Sequence, residues 1–242
     1  MTRRARARLG ILVPFTNTNL EPDMGLLAPP DLTLHFARLG GYDADRIPDA
    51  DQMAGLGAAD LDEPLRLLMG VKPDVVLYGC TSATLTHGPE FDRALAARIA
   101  DSSGAKTVTA AGALVHGLTA LDVHRVAFAS PYVGAINDQA CAFLAKSGFE
   151  VVHRADIGRE LDNDGQGLLT PDEVFALALR AYAPGAEAIV LSCTDMRSVE
   201  AVDRIEAETG KPVICSNQAM MRQTLDLLGM GNARRCGRLL AA

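Results

Sequence analysis

Cys80 and Cys193 are the residues best suited to chemistry. Each closes a short apolar run, Val75-Val76-Leu77-Tyr78 and Ala188-Ile189-Val190-Leu191, and each is followed by a threonine. A free thiol ionises near pH ~8.5, and its thiolate is the nucleophile or base. A helix starting just after the cysteine would favour that thiolate. Two thiols facing one another across a small substrate can share the work. One attacks carbon or takes a proton, and the other delivers a proton from the opposite face. No cofactor is needed for that. Either cysteine alone is as ordinary as any small buried apolar side chain; the matched pair is what points to chemistry. The other three cysteines have no match. Cys141 falls inside a helical pattern, Cys215 ends a strand whose counterpart runs into Ala110, and Cys236 lies in the tail.

Elements must hold those thiols in place. Leu9 to Val13, Leu32 to Ala37, Val75 to Tyr78 and Thr107 to Thr109 form one series of strand-like runs. Arg125 to Ala129, Glu150 to His153, Ala188 to Leu191 and Val213-Ile214 form a second. Short apolar runs separated by helical patterns mark buried parallel strands. The two series correspond: Val13-Pro14-Phe15 to Ser130-Pro131-Tyr132, and Tyr78-Gly79-Cys80-Thr81 to Leu191-Ser192-Cys193-Thr194. The expected fold class is α/β, with two pseudo-symmetric lobes, each a four-stranded parallel sheet flanked by helices. Two thiols, one from each lobe, can face one another across a substrate in the cleft between them, where the active site is then expected. The expected boundaries are an N-terminal lobe over 1–115, a C-terminal lobe over 116–228 and a loosely held tail over 229–242. The last helix is free to pack back on the first lobe.

Helix starts are marked by Pro89 and by Thr170-Pro171-Asp172-Glu173, an N-cap, a proline and a reciprocal glutamate. Asp60-Leu61-Asp62-Glu63 has the form of a capping box. Val199, Val202 and Ile205 are expected to line a helix ending at Gly210, and Ser216 to cap a helix over Asn217 to Leu228.

Ligands of open parallel sheets bind outside the C-terminal strand ends. The residues there are small, hydroxylated or amide-bearing: Asn17 after the first strand, Thr81 and Ser82 after the third, Tyr132 after the fifth and Thr194 after the seventh. Such hydroxyls and backbone N–H groups can hold a carboxylate. Dinucleotide, P-loop, H-E-x-x-H, C-x-x-C and G-x-S-x-G motifs are absent. The five histidines are scattered, so neither a metal site nor a cofactor is expected. His35 and His153 occupy matching structural places, and His87 belongs on the surface.

With 23 basic and 30 acidic residues the net charge is −7, which disfavours nucleic acid or an anionic membrane as partner. No apolar run reaches the ~18 residues of a membrane span. The basic start, Met1 to Arg8, is followed by only five apolar residues before Pro14, short of the ~7–15 of a secretory signal. An odd number of cysteines without C-x-x-C spacing points to the reducing cytoplasm.

These motifs, in this order, resemble the aspartate/glutamate racemase superfamily over about Leu9 to Leu228. The match is closer to the branch of maleate cis–trans isomerases, arylmalonate decarboxylases and a protein of ectoine-utilisation clusters. The resemblance implies a cofactor-independent enzyme with catalytic Cys80 and Cys193. It also implies that Asn17 and Tyr132 each hold a substrate carboxylate, that Asn163 is a further substrate-binding asparagine, and that Thr81, Ser82 and Thr194 donate through backbone or hydroxyl. The partner implied is a small carboxylate, most directly maleate converted to fumarate, and the assembly a homo-oligomer (dimer or tetramer). The alternatives are an amino-acid or hydroxy-acid racemase, an ectoine-utilisation-type enzyme, a malonate decarboxylase and a non-catalytic carboxylate-binding protein. Arylmalonate decarboxylases keep only the second cysteine, so a pair favours isomerisation or racemisation. Two features depart from the maleate isomerases. Phe15 and Thr16 replace two serines, and Thr194-Asp195-Met196-Arg197 is charged where an uncharged pair is usual. If close, Asp195 would raise the pKa of Cys193 and Arg197 would lower it.

Overall fold

Leu9 to Val13 is buried on both faces, and such a segment suits a central parallel strand rather than an edge. The computed structural model describes residues 6–41, 43–132, 134–231 and 235–241. In it this segment is part of β1 (Ala7–Pro14), which pairs in parallel with β2 (Leu32–Leu39) and β3 (Val75–Tyr78). β4 (Lys106–Thr109) completes a sheet of order β2-β1-β3-β4. The second sheet, from β5 (Arg125–Ser130), β6 (Glu150–Asp156), β7 (Ala188–Leu191) and β8 (Val213–Cys215), runs β6-β5-β7-β8. All its pairings are parallel too, so both halves have the same topology. The expected two-sheet α/β architecture is therefore present.

The helices of the first half are α1 (Leu20–Leu27), α2 (Ala50–Ala58), α3 (Asp62–Leu68), α4 (Thr81–Leu85), α5 (Pro89–Ser103) and α6 (Ala110–Ala120). Those of the second are α7 (Ala135–Lys146), α8 (Asn163–Gly167), α9 (Pro171–Ala181), α10 (Val202–Thr209) and α11 (Ser216–Leu228). α9 starts on the expected capping box. Thr170 Oγ1 accepts from the Glu173 N–H at 3.2 Å, and Glu173 Oε2 accepts from the Thr170 N–H at 3.0 Å. Such a cap contributes about 1 kcal/mol.

Local signals mislead at four places. Leu61, not Asp60, is the N-cap of α3, and it has no side-chain cap bond; Asp60 instead accepts from the Asp62 N–H. α10 begins only at Val202, leaving Val199 in a turn. Cys215, not Ser216, is the N-cap of α11, because Gln218 returns its side chain to the Cys215 N–H at 3.2 Å. The chain end is not loose where it is described. Leu239 is fully buried, the Gly237 N–H donates to Asp203, and the Arg238 N–H donates to Glu206. Asn232, Ala233 and Arg234 lie outside the described residues.

One large apolar cluster joins the two halves, running from Leu9 and Leu114 to Val126 and Ile214. α11 packs against α6 and α1, and so crosses back to the first sheet. A smaller cluster of Leu12, Leu56, Tyr78 and Leu95 fills the outer face of the first sheet. Close packing sets the approach to the first cysteine. An added Cβ on Gly79 would collide with Leu20 Cδ2 and lie 3.1 Å from the Leu12 carbonyl oxygen. A side chain at position 79 would therefore force the buried Leu20 to shift.

Candidate active site

Both cysteines line one cavity of about 30 Å³ at the C-terminal ends of the strands. Cys80 leaves β3 as the N-cap of α4, and Cys193 leaves β7 two residues past its end. Both are buried. A chain of polar contacts connects them across the two halves. Cys80 Sγ lies 3.6 Å from Ser82 Oγ, Ser82 Oγ 3.3 Å from Tyr132 Oη, and Tyr132 Oη 3.4 Å from Cys193 Sγ. Ser82 also donates to Met53 Sδ at 2.9 Å. Tyr132 is fixed from behind, where its backbone N–H donates to Ser130 Oγ and Asn137 Nδ2 donates to its carbonyl. Pro48 and Tyr132 also line a neighbouring hollow of about 240 Å³.

The threonines after the cysteines are staples between the halves. Thr81 Oγ1 donates to Ser216 Oγ at 2.9 Å, and Thr194 Oγ1 donates to the Gly79 carbonyl at 3.0 Å. Asn17 Nδ2 donates to Thr194 Oγ1 at 3.0 Å, while Asn17 Oδ1 accepts from the N–H groups of Leu20 and Asn19. Asn17 and Thr194 line the cavity, and Thr81 does not. The Thr81 hydroxyl is thus turned toward α11, which leaves its backbone N–H as the expected donor. Asn163 lines the cavity from α8 and donates through Nδ2 to the Ala44 carbonyl at 3.0 Å.

Residues 63–240 match the family described as arylmalonate decarboxylase. The chain belongs to that family. It is 29% identical to the maleate isomerase of Nocardia farcinica over 88% of its own length and 86% of the relative's. It is equally identical to the arylmalonate decarboxylase of Bordetella bronchiseptica over 93% and 89%. Among solved structures it resembles a cysteine-to-serine mutant of the Nocardia farcinica maleate cis–trans isomerase with a covalently bound succinylcysteine intermediate. There the TM-score is 0.88 at 27% identity, covering 97% of this chain and 98% of that one. Relatives from both the isomerase and decarboxylase sides thus match, which bears out the branch that the motifs suggested.

Within this family fold the two thiols have unequal surroundings. Burial pushes the Cys80 thiol above its ordinary pKa, with a smaller push from the charge of Asp195, while the N–H groups of Ala83 and Ser82 and the Ser82 hydroxyl pull it down. Burial and the negative charge of Asp195 push Cys193 up to about 12, against a smaller pull from Tyr132 and the Asp195 N–H. Arg197 does not offset this, since it pairs with Glu200 at 2.7 Å. Nor does a helix begin after Cys193, contrary to the sequence pattern: residues 194–201 are bends, turns and irregular backbone. Burial also keeps Tyr132 a neutral phenol, its pKa well above the ordinary value.

Sequence reasoning missed Gln166 in this site. Its Oε1 lies 3.9 Å from Cys193 Sγ, and it is buried in the cavity wall. It stands three residues after Asn163, and that spacing on one helical face was the available signal. His87 is exposed and stacks on Phe91, as a surface residue would. Among the described residues no three His, Cys, Asp or Glu side chains gather as metal ligands. Nor is any helix there long and apolar enough to cross a membrane.

Proposed function

We propose that this chain is a cofactor-independent isomerase that converts maleate to fumarate with Cys80 and Cys193. The observation that carries this is the pair of thiols, one from each half, in one cavity and joined through Ser82 and Tyr132. The Cys80 thiolate adds to one alkene carbon, forming a C–S bond as the π electrons move to the neighbouring carbon. Cys193 delivers its S–H proton to that carbon and leaves a succinyl thioether on Cys80. Rotation about the new single bond follows. Cys193 then takes back a proton, the C–S bond breaks, and fumarate leaves with both cysteines restored. The carbanion is spread into the adjacent carboxylate. Among the described residues lining the cavity there is no lysine or arginine. Neutral O–H and N–H donors of the lining, among them Tyr132, Ser82, Asn163 and Asn17, therefore meet that charge. A related isomerase caught with a succinylcysteine supports this route.

A second reading, decarboxylation of an arylmalonate, is supported by the matched family. It needs one proton donor and leaves Cys80 without work. The test incubates the purified protein with maleate, or with an arylmalonate, and follows products by proton NMR. Fumarate from the wild type alone, with none from Cys80→Ala or Cys193→Ala, supports isomerisation. Arylacetate without fumarate overturns it, and α-deuteration of an amino or hydroxy acid in heavy water would indicate a racemase. A homo-oligomer in the reducing cytoplasm completes the proposal, with five free cysteines in its favour. A sedimentation profile of monomer alone would refute the assembly.

A further inference from the structure

The mechanism leaves one buried charge in the cavity wall unused. Asp195 stands two residues after Cys193, where Ser82 stands two residues after Cys80. Its backbone N–H donates to Cys193 Sγ at 3.3 Å. Its Oδ1 accepts from the Thr18 N–H at 2.7 Å, the Thr18 hydroxyl at 3.2 Å, the Asn19 N–H at 3.0 Å and Asn19 Nδ2 at 3.3 Å. Asn19 Nδ2 also donates to the carbonyls of Asp195 and Gly167, both at 2.8 Å. A Cβ on Gly167 would come within 2.5 Å of Thr18 Oγ1, so a glycine is what permits this approach. The carboxylate is thus locked between the first half's β1–α1 loop and α8, beside the second half's thiol. A fixed negative charge beside a thiol opposes loss of its proton.

We propose that Asp195 is a positioning residue that decides which cysteine keeps its proton, holding Cys193 as the thiol so that Cys80 is the first of the two to ionise. This rests on the two-cysteine reading but not on the identity of the substrate. Asp195 also opposes ionisation of Cys80, but less than the Ala83 N–H and the Ser82 hydroxyl favour it, whereas at Cys193 only burial outweighs Asp195. The other groups around the pair do not reverse the bias. Tyr132 and Cys80 face Cys193 from the loops after β5 and β3, and Gln166 of α8 is uncharged. Asp23 of α1 acts on Asp195 with the same sign, while Arg197 and Glu200 pair with each other. Asp195 itself is pushed up to about 6 by burial, so it is ionised at neutral pH.

The experiment measures the rate of iodoacetamide labelling at Cys80 and Cys193 separately, by peptide mass spectrometry, from pH 6 to 11. It needs no turnover, so a wrong substrate cannot imitate its failure. In the unaltered protein Cys193 should titrate above Cys80, and the reverse order overturns the proposal whatever any variant does. In Asp195→Asn the Cys193 profile should move down by about one pH unit, about a tenfold gain in labelling below its midpoint. The Cys80 profile should move less, and Asp195→Glu should restore the Cys193 profile. If Asp195→Asn melts earlier but its Cys193 profile overlays the wild type, Asp195 is a structural clamp only and the proposal is wrong.

Discussion

The loops after β3 and β7 start from nearly the same sequence and become different environments. Each carries a small residue, a cysteine and a threonine, and each threonine reaches across to the other half. They part at the next residue. Ser82 opens the short helix α4, and its N–H and hydroxyl, with the Ala83 N–H, favour charge on Cys80. Asp195 sits in a non-helical loop and places negative charge beside Cys193. Repetition of topology therefore preserves position, while one side chain sets the chemistry. A symmetric pair of thiols would suit exchange in either direction; an unequal pair suits one nucleophile and one acid.

The sharpest way to break this contrast is to replace each sulfur with oxygen. Cys80→Ser and Cys193→Ser should each lower turnover of maleate by on the order of a thousandfold or more. Intact-mass spectrometry should separate them. Cys193→Ser keeps its nucleophile and should accumulate an adduct of one maleate on Cys80, whereas Cys80→Ser should carry none. Equal labelling of both variants would make the two halves equivalent after all.

Next in size is the link between the thiols. Tyr132→Phe removes the hydroxyl that touches both Ser82 and Cys193. Steady-state kinetics should show kcat/KM down by roughly ten- to a hundredfold, the scale of about 1.5–3 kcal/mol for a hydrogen bond to a charged group.

The staples allow a comparison of stability. Thr194→Val removes the donor to Gly79 and the acceptor for Asn17, while Thr81→Val removes one bond to Ser216. Each buried partner left unpaired costs about 1–3 kcal/mol. Denaturant melts should therefore rank Thr194→Val as the more damaging, and the opposite order would put the firmer joint in the first half.

A last contrast concerns what lies behind the second cysteine loop. Asn217 Nδ2 donates to Asp23 Oδ2 at 2.7 Å and to the Thr194 carbonyl at 3.0 Å. Burial pushes the Asp23 carboxyl up to about 7 from 3.8. The native state thus binds this proton more tightly than the unfolded chain. Stability from Asp23 is complete below about pH 4 and falls as pH rises toward 7. Asp23→Asn cannot ionise, so its Tm relative to wild type should climb across that window, then level off. A constant difference in thermal melts from pH 4 to 8 would place the charge penalty elsewhere.

Much of this was legible in the chain itself. Buried strands such as Leu9 to Val13 and Val75 to Tyr78 announce themselves as short apolar runs, and the capping box at Thr170 depends on neighbours three residues apart. Cys80 and Cys193 are visible because each follows a strand end. The same signal marks Thr81 as a donor but does not record that its hydroxyl reaches Ser216, 135 residues away. The buried tail was hidden because Leu239 and Cys236 are held by α10 and α11 through residues such as Asp203, Glu206 and Gln218. No local periodicity records a contact of that kind.

What the sequence determined by itself was therefore the local chemistry: strands, most helix starts, two matched thiols and a carboxylate near one of them. The tertiary structure alone decided that both thiols share a cavity, that Tyr132 and Ser82 connect them, and that Thr18 and Asn19 lock Asp195 beside Cys193. The reason is physical. Propensity and capping act over a few residues, whereas desolvation and Coulomb forces depend on which distant segments meet once the two sheets are packed.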